Sequence, residues 1–270
     1  MISGPSTAEV TRYYDENAGN KVRDFVLGNP RVEKACQLIR RFAPDSPKGI
    51  LEIGAGIGHV SWRMAKTWPA ARVVGAELSS RSVELAKRLF AEPNLIYHEG
   101  IVTSETFDQR FDMIVLMDIY EHVSQAERPS FHHSLSQLLS PTGMVIVTCP
   151  TVAKLQHLRI HDPKGLQPVD EDITSEELVI FARDLGAKLI YHAEVDIWDV
   201  ADYTHSVIRR GHSARSMQPI PTEGRKARLK RATELLLGRS TSLWNLPPTQ
   251  RRSQVQARLG NDATAILNDC

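Results

Sequence analysis

The feature that most constrains the fold of this chain is a run of glycines between a strand-like and a helix-like segment. Residues 49–53 have the composition of a buried strand, and a helical pattern occupies 60–66. Between them lie Gly54, Gly56 and Gly58. Glycines let the backbone turn tightly and approach a ligand without a Cβ in the way, and the following helix directs unpaired N–H groups at the same space. The junction therefore predicts a strand–loop–helix unit that binds a ligand with an anionic group.

Strand-like and helix-like patterns alternate through most of the chain. Such alternation predicts an α/β sheet whose strands are joined by crossover helices. Two later β-rich runs, at 188–196 and 203–210, are joined by a short connection and predict an antiparallel pair that closes the sheet. The other strand-like runs are 49–53, 72–77, 95–98, 111–117 and 144–148, and helix-like runs occupy 8–17, 30–41, 60–66, 80–90 and 125–139.

The patterns divide the chain into three regions. Residues 1–47 predict an N-terminal helical cap, and 48–210 predict the α/β core. Within the core, the segment 150–173 holds three prolines and several charges, which predicts a long irregular insertion of the kind that is functional or disordered. Residues 211–270 form a basic C-terminal extension.

The net charge of +1 hides an asymmetry between this extension and the rest of the chain. From residue 209 onward there are twelve Arg or Lys against four Asp or Glu. A tail of this kind is most often a solvated, partly disordered extension, although it can contact nucleic acid, anionic lipid or a partner protein. Only one aromatic residue, Trp244, follows Tyr203, so stacking on nucleic-acid bases has little support. The sequence therefore favours a small-molecule partner over nucleic acid.

Several classes of protein are disfavoured by composition. No apolar run approaches the roughly 20 residues that cross a bilayer, so we expect no membrane insertion. The first twenty residues carry acidic side chains and lack the apolar stretch of a signal peptide. Three widely spaced cysteines, Cys36, Cys149 and Cys270, offer neither a disulfide framework nor a paired zinc spacing. A cytoplasmic protein with reduced thiols is the expectation, with the oligomeric state open and a homodimer compatible.

The acidic residues around the glycine run narrow the choice of ligand. A dinucleotide fingerprint places its third glycine three positions after the second, whereas here the interval is two and His59 occupies that place. Glu52 precedes the run and disfavours a pyrophosphate, but it suits an ammonium group, bound directly or through water. Glu77 ends the second strand, where a carboxylate can accept hydrogen bonds from both hydroxyls of a ribose. An amino-acid-bearing nucleoside fits this combination best.

With these motifs, residues 48–210 resemble a class I (Rossmann-like) S-adenosylmethionine-dependent methyltransferase. The run 52–58 fits the family's first motif, and 111–118 fits its fourth-strand motif. Residues 119–123 continue that motif as in small-molecule enzymes of the quinone-biosynthesis type. The resemblance implies a Rossmann-like, seven-stranded, mostly parallel sheet with helices on both faces, a closing antiparallel pair and S-adenosylmethionine as cofactor. The cofactor-binding residues it implies are Glu52, Gly54, Gly56, Gly58, Glu77, Leu78, Gly100, Ile101, Asp118 and Tyr14.

One of these assignments, at the adenine, departs from the family pattern, and another, Tyr14, stays open. The acidic residue that usually follows the glycine beside the adenine is absent, since Ile101 and Val102 follow Gly100. Backbone groups and apolar contact would replace it. Tyr14 lies in a segment, 13–17, that resembles the lid of similar enzymes, where a tyrosine covers the methionine end of the cofactor. Ordinary helix packing is the alternative for this tyrosine.

The acceptor side depends on titratable residues after the fourth strand and in the insertion. An oxygen acceptor generally needs a base, whereas a neutral amine does not. His122 is one candidate base, although the sequence favours a structural histidine that fixes the strand-to-helix turn. His161 in the insertion is the other. The predicted acceptor-binding residues are Tyr120, Gln167, Asp170, Glu171 and Tyr203.

Other readings remain compatible with the sequence. The hypothesis that His161, Asp170 and Glu171 bind a divalent metal has less support than a metal-free site, because acidic loop residues are mostly solvated. The leading function is O-methylation of a small molecule such as a sugar, a quinone precursor or a natural product. N-methylation of an amino sugar or other amine is the first alternative. A macromolecule-directed enzyme that uses the basic tail and a cofactor-binding protein without catalysis are the remaining ones.

Overall fold

The computed structural model describes residues 7–211, 244 and 246–267, and its centre is a seven-stranded sheet. The strand order is β3-β2-β1-β4-β5-β7-β6. Neighbouring strands among the first five are parallel, and β7 is antiparallel to both β5 and β6. This confirms the predicted α/β fold and its closing pair. The strands are β1 (Gly49–Ile53), β2 (Arg72–Glu77), β3 (Leu95–Glu99), β4 (Phe111–Met117), β5 (Leu139–Pro150), β6 (Lys188–Val195) and β7 (Tyr203–Arg209).

Helices cover both faces of the sheet. One buried apolar cluster joins the first four helices and the C-terminal pair to one face, and a second joins α5 and α7 to the other. The helices are α1 (Thr7–Leu27), α2 (Pro30–Phe42), α3 (His59–Thr67), α4 (Ser80–Leu89), α5 (Arg128–Leu138), α6 (Val152–His161), α7 (Ser175–Asp184), α8 (Pro248–Leu259) and α9 (Asn261–Leu267). Short 3-10 turns lie at Tyr120–His122 and Pro163–Gly165.

The strand order places the site. The first three strands run outward from β1, and the chain then crosses back so that β4 pairs with the other side of β1. In open α/β sheets, ligands bind outside the carboxyl ends of the strands at this switch point. The glycine run follows β1 and the 3-10 turn of His122 follows β4, so both predicted halves of the site meet there.

Three elements differ from the sequence-based expectations. Helix α1 continues to Leu27, ten residues beyond the predicted end. Strand β5 begins at Leu139 instead of 144, because Leu139 pairs with Phe111 ahead of a register shift in the ladder. The insertion is not irregular throughout, since α6 begins at residue 152 and Thr151 caps it by accepting from the Lys154 N–H at 3.2 Å. Only Leu155 of α6 is buried, which explains why its sequence carries little apolar periodicity.

The described part of the C-terminal extension is packed, contrary to the expectation of a solvated tail. Helices α8 and α9 bury Val255, Leu259, Ala263 and Leu267 in the same cluster as α1. Most of the basic residues that set the charge asymmetry fall within 212–243, outside the described residues. Among the helices that the structure describes, none combines the length and apolar character needed to span a membrane.

Candidate active site

A single cavity of about 820 Å³ opens at the carboxyl ends of β1, β2 and β4 and is roofed by α1. It brings together predicted residues from both halves of the site. Those that line it are Tyr14, Glu52, Gly54, Gly56, Glu77, Leu78, Gly100, Ile101, Asp118, His122, Gln167, Asp170 and Tyr203. The predicted residues that do not line it are Gly58, Tyr120, His161 and Glu171.

The glycine loop turns sharply at the end of β1. The N–H groups of Gly54 and Ala55 both donate to the Ala76 carbonyl, at 2.8 and 2.9 Å, which holds the loop against β2. Gly54 has a φ of +73°. A Cβ at this position would overlap the Ile119 side chain, so only glycine lets the loop pass the start of the β4 turn.

Glu77 fixes the other wall of the loop. One carboxylate oxygen accepts from the Gly56 N–H at 2.7 Å, and the other accepts from the N–H groups of Leu78 and Ser79 at 2.9 and 3.0 Å. Each carboxylate oxygen has two lone pairs; Oε1 already accepts two bonds and Oε2 one, so one acceptor position on Oε2 remains for a ligand. The carboxylate is therefore held beside the glycine loop in a fixed direction.

Glu52 is a buried carboxyl at the base of the cavity. Only 1% of it is exposed, and the Ser61 hydroxyl donates to it. Burial raises the pKa of Glu52 to about 8, because the surrounding protein solvates the anion poorly. Lys21 of α1 opposes this shift weakly. A cationic ligand group in the cavity would favour the ionised form, which is the chemistry expected of a residue that faces an ammonium.

The end of β4 carries an ion pair that sequence reasoning missed. Asp118 has a φ of +52°, which is unusual for a residue with a side chain, and its carboxylate contacts the Arg31 guanidinium from α2. The two residues are 87 positions apart, so no local signal joins them. Together they present both signs of charge to the cavity, as the ammonium and carboxylate of an amino acid require.

His122 is held from behind by the insertion. Its Nδ1 donates to the Val169 carbonyl at 2.6 Å and lies 3.1 Å from Oδ1 of Asp170. The Nε2 atom is buried, has no hydrogen-bond partner among the described residues and lies 3.8 Å from Oε1 of Glu121. With Nδ1 carrying the proton, Nε2 of the neutral ring is a free acceptor.

The electrostatic surroundings of His122 favour its charged form. Burial lowers its pKa, but the Glu121 carboxylate and the bonds to Asp170 and Val169 raise it, and the net pKa lies above the ordinary value. Glu121 is also fully buried, and burial raises its pKa while the neighbouring imidazole lowers it. A proton that reaches Nε2 is therefore stabilised there.

Comparison with known proteins identifies the family. A family model described as a methyltransferase domain matches residues 50–143. The ubiquinone biosynthesis O-methyltransferase of Brucella ovis is 30% identical over 190 residues, which cover 62% of this chain and 75% of that protein. The mitochondrial enzyme of the same name from Schizosaccharomyces pombe is 25% identical over 186 residues, covering 64% and 66%. The chain belongs to the class I S-adenosylmethionine-dependent methyltransferases.

Solved structures show the same fold. The 1,6-didemethyltoxoflavin-N1-methyltransferase of Burkholderia thailandensis aligns with a TM-score of 0.58 and 17% identity, covering 78% of this chain and 94% of that one. A putative methyltransferase of Haloferax volcanii, in complex with the Trm112 activator, aligns with a TM-score of 0.61 and 14% identity, covering 74% and 98%. With the family established, the chain is an enzyme whose cofactor is S-adenosylmethionine.

Helix α1 of the methyltransferase is tied to both sides of the cavity. The Tyr14 hydroxyl donates to Oε1 of Gln167 at 2.9 Å, and the backbone N–H of Gln167 donates to Asp170 at 2.7 Å. On the opposite side, the Ser79 hydroxyl donates to Asp15 at 2.6 Å. Burial raises the pKa of Tyr14, with Glu77 adding to the effect, so the hydroxyl stays protonated.

Two of the predicted residues outside the cavity have structural positions. A Cβ on Gly58, which has a φ of +82°, would overlap the Tyr97 ring, whose hydroxyl donates to the Gly58 carbonyl at 3.2 Å. Tyr120 is buried on the other face of the 3-10 turn, with its hydroxyl 2.9 Å from His132 Nε2 and its ring stacked on Phe181. Gly58 thus shapes the loop without lining the cavity, and Tyr120 holds the turn that presents His122.

The other two belong to the insertion. His161 is exposed at the end of α6 and packs against His157, one helical turn earlier, with ring centroids 4.5 Å apart. Glu171 contributes its backbone N–H, which donates to the Glu121 carbonyl at 2.8 Å. In the part of the chain that the structure describes, no group of three or more histidine, cysteine or acidic side chains could hold a metal ion, so His161, Asp170 and Glu171 do not converge.

Proposed function

We propose that this methyltransferase transfers its methyl group to a hydroxyl of a small molecule, with His122 as the general base. The observation that carries the proposal is the buried Nε2 of His122, which has no hydrogen-bond partner in the described part of the chain, while Val169 and Asp170 hold the ring on the opposite nitrogen. Methylation of a hydroxyl needs a base to take the proton, and a histidine held in one tautomer can supply it. A neutral amine does not need such a base.

The charges along the cavity support one direction for the cofactor. Glu77 would accept the ribose hydroxyls, and the adenine would lie toward Gly100 and the apolar Ile101, beyond it. In the other direction, Asp118 and Glu52 would face the ammonium. The Arg31 guanidinium, which sequence reasoning did not identify, would face the carboxylate of the methionine moiety.

The chain's own residues supply alignment and proton transfer. When bound, S-adenosylmethionine provides a methyl group on a positively charged sulfur, and attack by an acceptor oxygen breaks the sulfur–carbon bond. His122 would take the hydroxyl proton at Nε2, and Asp170 with Glu121 would stabilise the resulting imidazolium. Tyr14 and Gln167 would close the cavity and exclude water from the transfer.

The acceptor end of the cavity suits a ring-bearing hydroxyl compound. Trp198 and Tyr203 contact each other edge to face with centroids 5.8 Å apart, and both line the cavity with Leu155 and Leu158. This mixture of aromatic and aliphatic surface accommodates a flat or cyclic molecule. A quinone precursor is the first candidate, given the names of the relatives, and a sugar or another natural product is the second.

Paired acceptors test the proposal. Methyl transfer from labelled S-adenosylmethionine would be measured with ring compounds that differ only in carrying a hydroxyl or an amine at the same position. We expect product with the hydroxyl compounds and a rate that falls when His122 is replaced. Transfer to the amines alone, with a rate that His122→Ala leaves unchanged, would establish N-methylation instead. Cofactor binding without product on either series, together with methylation of RNA or protein, would establish a macromolecular acceptor.

A further inference from the structure

The two helices of the N-terminal cap meet at a turn that controls how they lie over the cavity. Helix α1 lines the cavity through Tyr14 and Lys21, and α2 lines it through Arg31. Between them lies Gly28, which has a φ of +90°. The distance between the tyrosine lid and the Arg31 guanidinium therefore depends on the geometry of a short connection.

A residue from the far end of the chain bridges this connection. Arg251 lies in the first turn of α8, and its side chain is buried. Its Nη1 donates to the Phe25 carbonyl of α1 at 3.1 Å, and its Nη2 donates to the Glu33 carboxylate of α2 at 2.7 Å. Its Nε donates to the Leu246 carbonyl at 2.6 Å, which fixes the guanidinium relative to its own segment.

The chemistry of an arginine fits this position. Phe25 is among the last four residues of α1, whose carbonyls lack partners inside the helix and carry the negative end of its dipole. A guanidinium donates in several fixed directions within one plane, so it can reach one such carbonyl and a carboxylate on the next helix together. Arg251 does so on both sides of Gly28.

Glu33 extends the bridge to the cofactor loop. Its carboxylate also pairs with Arg63 of α3, through bonds of 3.0 and 3.3 Å, and Arg63 is fully buried. Helix α3 is the one that begins at the glycine loop. One carboxylate thus connects the C-terminal helix, the cap and the helix at the cofactor site.

Packing along the C-terminal pair reinforces the same contact. Val255 and Leu259 follow Arg251 at intervals of four residues, so the three share one face of α8. That face belongs to the apolar cluster of α1. A second polar contact lies beyond the C-terminal end of α8, where the Nε of Arg23 in α1 donates to the Ile266 carbonyl of α9 at 2.8 Å.

We propose that Arg251 is a positioning residue of the cofactor site: it sets the angle between α1 and α2 and thereby couples the C-terminal helices to the affinity for S-adenosylmethionine. The coupling acts through the cap, because Arg251 itself lies outside the cavity. It predicts that loss of the bridge weakens cofactor binding while leaving the chemistry at saturating cofactor nearly unchanged.

The test compares Arg251→Gln with Arg258→Gln, an exposed arginine of the same helix, in the full-length enzyme. Calorimetric titration with S-adenosylhomocysteine, well below the unfolding temperature of each protein, should show about tenfold weaker binding for the first variant, within the usual range of coupling between sites. The second should bind within about twofold of wild type. Hydrogen exchange should accelerate at 14–33 in the first variant and stay unchanged in β1 and β2.

A purely structural role gives a different pattern. In that case Arg251→Gln lowers the unfolding temperature, but the folded protein binds S-adenosylhomocysteine as wild type does, and this result would overturn the proposal. Arg251→Lys, measured in parallel, keeps the positive charge but lacks the guanidinium fork that donates to the Phe25 carbonyl and the Glu33 carboxylate together. If the glutamine variant does not fold, the lysine variant must show a severalfold loss of affinity, and wild-type affinity in it would equally overturn the proposal.

Discussion

The ribose side of the cofactor end comes from two short stretches, 52–58 and 77–79, which are joined where the Gly56 N–H donates to the Glu77 carboxylate. At the acceptor end, His122 depends on a carbonyl 47 residues later, and Tyr14 depends on a side chain 153 residues later. The ribose side therefore depends on contacts between two neighbouring strands and the loops that follow them. The acceptor end exists only when the cap, the β4 turn and the insertion have all docked, so its affinity and its chemistry depend on long-range packing.

Removal of the base should produce the largest effect and tests the acceptor end alone. We expect His122→Ala to lower kcat by about 10²- to 10⁴-fold, the usual contribution of a positioned general base. Binding of S-adenosylhomocysteine should stay within about twofold, because the side chain lies beyond the sites assigned to the cofactor. His161→Ala is the matched control, since that histidine is exposed on α6, and its kcat should equal that of wild type. Equal losses in both variants would contradict the assignment.

Removal of the strand-end carboxylate tests the cofactor end. Glu77→Ala should weaken S-adenosylhomocysteine binding about 100-fold, because hydrogen bonding from ribose to a charged acceptor is lost and the loop amides lose their partner. Glu99→Gln is the control, since Glu99 sits opposite Glu77 in the ladder and outside the cavity. Titration calorimetry measures both variants. Affinity that is unchanged by Glu77→Ala would show that the ribose lies elsewhere.

The local character of the cofactor end explains what could be predicted from sequence. Gly54, Glu52 and Glu77 lie at fixed offsets from strand ends, so period and spacing were sufficient to place them. Arg31 could not be placed in the same way, because its contact with Asp118 depends on the angle at which α2 crosses the sheet. The bond from His122 to the Val169 carbonyl could not be predicted either, because every residue has a backbone carbonyl and the sequence does not show which one accepts. The sequence does not distinguish His161 from His122 as a candidate base. The structure does, because His161 is exposed at the end of α6 and does not line the cavity.

Asp170 links the insertion to the pH dependence of the reaction. It helps to raise the pKa of His122, and the base works when deprotonated, so the wild-type rate should rise through a midpoint above the ordinary histidine value. Asp170→Asn should move this midpoint to lower pH and reduce the maximal kcat about tenfold, because the imidazolium loses its partner. Asp172→Asn, which removes an exposed carboxylate paired with Arg159, should leave the profile in place. A rate profile of kcat against pH would detect either outcome.

The smallest expected effect is a pH dependence of the unfolding free energy that arises from Glu52. Its pKa is about 8 in the folded protein and near 4.5 when unfolded, so between these values only the native state holds the proton. The unfolding free energy should therefore fall as pH rises across this window, by at most about 1.4 kcal/mol per pH unit. Urea unfolding of the cofactor-free protein at several pH values should show this slope in wild type and in exposed Glu84→Gln. Glu52→Gln should lack it, and parallel slopes in all three would contradict the burial account.

The most direct test of a single cavity shared by both ends is a crystal structure of the enzyme with S-adenosylhomocysteine. The predicted result has the ribose on the Glu77 carboxylate, the amino-acid end between Asp118 and Arg31, and the sulfur on the side of the cavity that His122 lines. A nucleoside bound away from Glu77, or a sulfur shielded from His122 by protein, would contradict it.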